Sequence, residues 1–123
     1  MMHPYTAIPE LAEIVLEESW VLAIEVRPGT VEFTLEMVVT SDHPRYVPAP
    51  AGKAYTPCAG SLSFFGVQSL SWSDQGARAS VDAEGRADLG NIDAMVFDGD
   101  IYRLEGSWGR MELVAARLSV DYH

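Results

Sequence analysis

Apolar and polar residues alternate with a period of two over several segments of the chain, as expected of strands with one buried face. From Ser19 to Arg27 the apolar set Trp20, Leu22, Ile24 and Val26 shares one face, with Glu25 and Arg27 among the residues opposite. Pro28-Gly29 follows, a preset φ and then a residue that tolerates positive φ, the two central positions of a type II turn. A second run, Thr30 to Thr40, places Val31, Phe33, Leu35, Met37 and Val39 on one face and Thr30, Glu32, Thr34, Glu36 and Thr40 on the other, broken only by Val38. The pattern predicts a hairpin turning at Pro28-Gly29 that buries Trp20, Leu22, Ile24, Phe33, Leu35 and Met37.

Before this hairpin, Ile8 to Glu18 has Pro9 where a first helical turn accepts it, and Leu11, Ile14 and Val15 at helical spacing. One short N-terminal helix is expected here, although Ile14, Val15 and Leu16 suit the opening of a strand equally well. Ser41 to Gly60 holds Pro44, Pro48, Pro50 and Pro57, which lack ladder donors and restrict the residues before them. The segment reads as a long loop, the first place to look for a site.

From Ser61 to Trp72 the alternation slips phase around Gly66, the signature of a bulge or corner where a strand bends between two layers. Ala79 to Asp82 supplies at most a short edge strand. Asn91 to Asp98 carries Ile92, Ala94, Val96 and Asp98 on one face and Met95 and Phe97 on the other, which suits a strand covered on both sides. Asp98-Gly99 signals a hairpin, and its return strand, Asp100 to Gly106, leads through Ser107-Trp108-Gly109 into Arg110 to Tyr122. There Val114, Ala116, Leu118, Val120 and Tyr122 are expected on one face. Six to seven strands with hairpin links predict a mainly β fold, an antiparallel β-sandwich or partly open barrel, with residues 1–123 as one domain.

Composition changes the picture in three ways. Eighteen acids against eight bases give a net charge of −10, a field that repels nucleic acid and anionic membrane surfaces and attracts a basic partner. The single cysteine, Cys58, excludes an intramolecular disulfide. The first residues lack a basic and apolar leader, and no apolar run approaches a membrane span, so a cytoplasmic protein is expected.

Candidate chemistry concentrates in the proline-rich loop, where His43, Arg45, Tyr46, Tyr55 and Cys58 lie close in sequence. Imidazole and thiol can ligate a metal or form a nucleophile with its base. A structural zinc takes ligands in close pairs, however, and no histidine pairs with another, so no metal, cofactor or catalytic residue is assigned. The expectation is a loop pinned by prolines, with buried tyrosines and an inert thiol.

Asp82, Glu84, Asp88 and Asp93 evoke calcium-binding loops but miss the EF-hand spacing, and turn chemistry accounts for them. Trp20 and Trp72 are expected in the core. Trp108, between Ser107 and Gly109, is either an exposed recognition aromatic or a cap over the end of the core.

Three strings, His43-Pro-Arg-Tyr46, Asp88-Leu-Gly-Asn-Ile-Asp93 and Leu104-Glu-Gly-Ser-Trp-Gly109, resemble small bacterial proteins, some kept near toxin–immunity loci. The resemblance implies a bacterial binding protein of immunity-like kind and brings no catalytic residues. The leading expectation is therefore a non-enzymatic module engaging a basic protein partner through acidic surface and loop aromatics, with His43, Arg45, Tyr46, Tyr55 and Trp108 as candidate binding residues. The alternative is a small-molecule-binding sandwich or barrel, or a minor enzyme, with its mouth at the loop 41–60.

Overall fold

The computed structural model describes residues 1–75, 80–81 and 87–123. Two antiparallel sheets pack face to face as an open β-sandwich rather than a closed barrel. In chain order the strands are β1 (His3–Pro4), β2 (Ile14–Arg27), β3 (Thr30–Val39), β4 (Cys58–Phe65), β5 (Ser69–Ser73), β6 (Ser80–Val81), β7 (Ala87–Asp88), β8 (Ala94–Asp98), β9 (Ile101–Gly106), β10 (Gly109–Val114) and β11 (Arg117–Tyr122). One sheet runs β1-β8-β9-β10-β5, the other β11-β4-β3-β2, and β6 pairs with β7 apart from both.

The expected N-terminal helix is not formed. Two single 3-10 turns, Tyr5–Ala7 and Pro9–Leu11, take its place, and β2 begins at Ile14. Ile14 and Leu16 are both buried, a period of two, and the β-branched pair Ile14-Val15 suits the strand; Leu11 is buried from the second 3-10 turn instead of from a helix. Tyr5 secures the junction: its buried hydroxyl donates to the Glu17 carboxylate at 2.8 Å and accepts the Leu16 amide at 3.2 Å. Burial, with Glu17 beside it, pushes this phenol up to about 12.

The hairpin turns at Pro28-Gly29 as expected, with Arg27 opposite Thr30 and Gly29 at a φ of 77°. β3 buries Val31, Phe33, Leu35 and Met37. On β2 the expected face is wrong in part. Two irregularities, between Val15 and Trp20 and between Val21 and Ala23, shift its register against β3. Val21 and Ser19 consequently point inward, Leu22 is 39% exposed, and Trp20 sits opposite Glu36, away from the core. The buried Ser19 hydroxyl repairs the first irregularity by accepting the Val38 amide and donating to the Val15 carbonyl.

The phase slip at Gly66 is a corner. β4 lies in one sheet and β5 in the other, and β10 and β11 make the same crossing beside them. The four strands form one antiparallel ribbon folded over the edge of the sandwich. At the fold Ala116 donates its amide to the Phe65 carbonyl. A side chain on Gly66, φ 63°, would meet the Ala116 methyl at 2.7 Å. The same crossing breaks the face expected along Arg110 to Tyr122: Met111, Leu113 and Ala115 are buried before it, and Leu118, Val120 and Tyr122 face inward after it, so Val114 and Ala116 do not share that face.

Between the sheets, Phe64 meets Tyr102 at 5.0 Å and Phe33 meets Trp108 at 5.2 Å, both edge to face. β8 buries Met95, half-buries Val96 and Phe97 and leaves Ala94 exposed, so it is not covered on both sides as expected. Among the described residues, no helix is long and apolar enough to cross a membrane.

Candidate functional site

The long loop between β3 and β4 wraps the end of the sheet from its inner face to its outer face, and each end of the loop is pinned by an aromatic contact. The inner pin is His43. Its ring is 9% exposed, its Nδ1 accepts the Arg45 amide at 3.0 Å, and its Nε2 lies 2.7 Å from the Tyr122 hydroxyl. With Nδ1 occupied as an acceptor, the neutral ring carries its proton on Nε2 and donates it to Tyr122. Burial pulls the His43 pKa below its ordinary value; Glu13 opposes that shift and Arg45 adds to it. The Arg45 guanidinium covers the Tyr122 ring from 4.8 Å.

His43 and Arg45 are thus brought together, but around Tyr122, which sequence reasoning names only as one position of a strand face. The arrangement is a clasp. The one lone pair of the neutral ring is spent on a backbone amide, so it is not offered to a metal or to the partly buried thiol of Cys58. Tyr46 is 42% exposed, against the expectation of a buried ring, and it joins neither pin through its side chain. Trp108 is 2% exposed and caps the core. Its indole N–H donates to the Asn91 carbonyl at 3.0 Å, and its own carbonyl accepts the Trp72 indole at 3.1 Å. Asn91 in turn donates to the Ser19 carbonyl at 2.6 Å. Buried in this way, Trp108 presents no ring to an approaching partner; the cap reading of this residue fits its position.

The outer pin is Tyr55, whose ring lies 5.4 Å from that of Trp20, tilted by 50°. Between this end of the loop and the outer face of β2 and β3 runs an open cleft of about 830 Å³. Trp20, Leu22, Tyr55, Pro50 and Pro57 provide its apolar walls, and Glu36, Asp88 and Lys53 its charges. Sequence reasoning placed Trp20 and Leu22 in the core and so missed this site. The available signal was the even spacing of apolar residues on a strand whose neighbours, Ser19 and Val21, also suit burial.

Two features hold the geometry. Gly52, at a φ of 81°, closes the tight turn in which the Lys53 amide donates to the Pro50 carbonyl, and the Thr56 hydroxyl ties back to the Pro48 carbonyl. On the other side, the Leu89 amide donates to the Val21 carbonyl and the Val21 amide donates to the Gly90 carbonyl, fastening the Asp88 segment along the edge of β2. Asp88 itself accepts the Gly90 amide at 2.8 Å, the turn chemistry expected of this segment. Tyr55 has its phenol pKa raised, first by desolvation and then by the charge of Glu18 at the same end of β2.

The metal candidates divide. Asp82 and Glu84 lie outside the described residues. Among the described residues no group of three or more histidine, cysteine, aspartate or glutamate side chains could hold a metal ion.

The fold and cleft define an antiparallel β-sandwich with an aromatic, carboxylate-bearing groove on the outer face of one sheet. No family model, curated protein or solved structure matches the chain.

Proposed function

We propose that this chain is a non-enzymatic binding protein that engages a basic protein partner, immunity-like in kind, through the cleft between the 50–57 loop and β2. The observation that carries this reading is the meeting at that cleft of two carboxylates from distant parts of the chain: Glu36 of β3 and Asp88 of β7 line it together beside the half-buried rings of Trp20 and Tyr55, on a molecule of net charge −10. The immunity-like part rests on the three resembling strings alone. His43 and Arg45, engaged with Tyr122, serve the site by fixing the base of the loop; Tyr55 supplies contact surface.

The test is affinity capture of the partner from the native cell, followed by association rates at two ionic strengths. A basic partner whose association slows steeply with salt supports the reading, because charges at the rim of an interface act mainly on encounter. An acidic partner, or a rate indifferent to salt, overturns it. The volume of the cleft favours one other reading, a small-molecule site at the 41–60 loop, since about 830 Å³ falls within the range of ligand pockets.

A further inference from the structure

We propose that β11 is the seam of a homodimer: its open edge pairs antiparallel with β11 of a second copy, about a two-fold axis at Ser119, and joins two four-stranded sheets into one. This surface lies at the opposite edge of its sheet from the cleft on β2, so the proposal stands apart from the basic-partner reading.

The backbone defines the edge. β11 is bonded to β4 on one side, and among the described residues nothing pairs with it on the other. Its register sets Tyr122 opposite Gly60, and one step further the His123 amide donates to the Ala59 carbonyl at 3.0 Å. Antiparallel ladders alternate, so Arg117, Ser119 and Asp121 bond to β4, while Leu118, Val120 and Tyr122 turn their amides and carbonyls to the open side. The Pro9–Leu11 turn packs against β11 with Leu11 in the core, yet its backbone makes no bond to this edge. The β6–β7 pair stands beside β2, at the far edge of the sheet.

An open edge is a template for another strand, and proteins commonly blunt it with proline, lysine or an irregularity. β11 holds no proline and no lysine, its register against β4 is continuous from Arg117 to Tyr122, and Leu118 and Val120 are only half-buried.

The two charges of the strand choose the occupant and the register. Arg117 and Asp121 stand two residues either side of Ser119, both exposed and neither in an ion pair among the described residues. Two copies of β11 can bond only where their outward-turned residues face each other, so the axis falls on a single residue. With the axis at Ser119, Leu118 exchanges backbone bonds with Val120 of the second copy, and Arg117 stands opposite its Asp121, twice over by symmetry. An axis at Leu118 or Val120 forms neither ion pair, and one at Arg117 or Asp121 sets like charges face to face. The Arg117 guanidinium lies 4.3 Å over its own Phe65 ring, and a stacked guanidinium keeps its in-plane N–H groups for an acceptor.

The experiment is sedimentation equilibrium of the full chain at about 0.15 M salt, where a Debye length of about 8 Å screens the like net charges of two copies but not groups in contact. One strand per copy makes a small interface, so a reversible dimer is expected, its average mass rising toward twice the chain mass between micromolar and millimolar concentration. Arg117→Glu and Asp121→Arg are each expected to weaken association roughly tenfold, because each sets like charges opposite twice, and the two together are expected to restore it. Melting temperatures check that each variant folds. Ser119→Cys, in a Cys58→Ser background, is expected to cross-link two copies on mild oxidation, since a non-hydrogen-bonded pair on the axis has its Cα atoms about 4.5 Å apart, within disulfide reach. A chain monomeric throughout this range overturns the proposal, as does a dimer indifferent to both single charge variants or one that the double variant fails to restore. A Ser119→Cys chain that dimerises without cross-linking removes the axis from Ser119 and overturns it as well.

Discussion

β2 and β3 are partners in one hairpin, yet one obeys its sequence pattern and the other does not. β3 is an inner strand, hydrogen-bonded to β2 on one side and β4 on the other, and its odd-numbered residues from Val31 to Met37 all reach the core. β2 lies at the edge of its sheet, with one long ladder on one side and, among the described residues, only the two backbone bonds between Val21 and the Leu89-Gly90 segment on the other, so an extra residue between Val21 and Ala23 is accommodated by local bending. The slip turns apolar residues outward, and those residues floor the cleft. A strand held on both sides keeps its register, whereas an edge strand can give up part of its register to build a surface.

The largest test of this contrast sets two aromatic truncations against each other. Phe33→Ala is expected to cost about 3 to 5 kcal/mol, much of the stability of a domain this size. Trp20→Ala, though it removes a larger ring, is expected to cost about 1 to 2 kcal/mol, since that ring rests on Tyr55 and not between the sheets. Urea unfolding of the two variants reads both values. A Trp20 variant as unstable as the Phe33 variant would return Trp20 to the core.

Ser19 sharpens the comparison, because it is what the irregular strand uses in place of a ladder bond. Ser19→Ala strands the Val38 amide in a buried site and is expected to cost about 1 to 3 kcal/mol. A loss of a few tenths would mean that β2 closes onto β3 without it.

Much of the sandwich was legible for reasons these residues make plain. Pro28-Gly29 and Gly66 announced their geometry because their backbone demands are local, and β3 announced its face because both neighbours enforce it. The cleft was not legible: its walls come from residues 20, 36, 55 and 88, which the fold brings together through two loops and a bulge. Periodicity also treats Trp20 on an edge strand like any buried aromatic. His43 and Tyr55 were singled out for chemistry, but their roles, a clasp on Tyr122 and a wall of the cleft, depend on partners far away in sequence. The N-terminal helix failed because Ile14 and Leu16 served the strand pattern as well as Leu11, Ile14 and Val15 served the helical one, and burial between the sheets decided it.

The two glycines at turns give a smaller contrast of the same kind. Gly29 and Gly66 both sit at positive φ, but a methyl at Gly29 meets open space and one at Gly66 meets Ala116. Gly29→Ala is expected to cost about 1 kcal/mol and Gly66→Ala measurably more, because the corner has no room to relax. Equal losses would show that the ribbon bends without close packing at Ala116.

The smallest effect is expected at the inner pin. The folded-state pKa of His43 lies below its unfolded value, so its contribution to stability is complete above about pH 6.5 and is lost as pH falls through the folded value. His43→Gln should flatten the pH dependence of the melting temperature below about 6.5. An unchanged slope would assign that dependence to the carboxylates.

The outward turn of β2 underlies both the fold account and the binding cleft, and the proton contacts of Trp20 test it most directly. A two-dimensional NOE spectrum of the full chain is expected to connect the Trp20 indole to the Tyr55 ring, and to connect Phe33 to Trp108 instead of to Trp20. Cross-peaks from Trp20 to Phe33 or Phe64, with none to Tyr55, would put Trp20 inside the sandwich and leave the cleft without its wall.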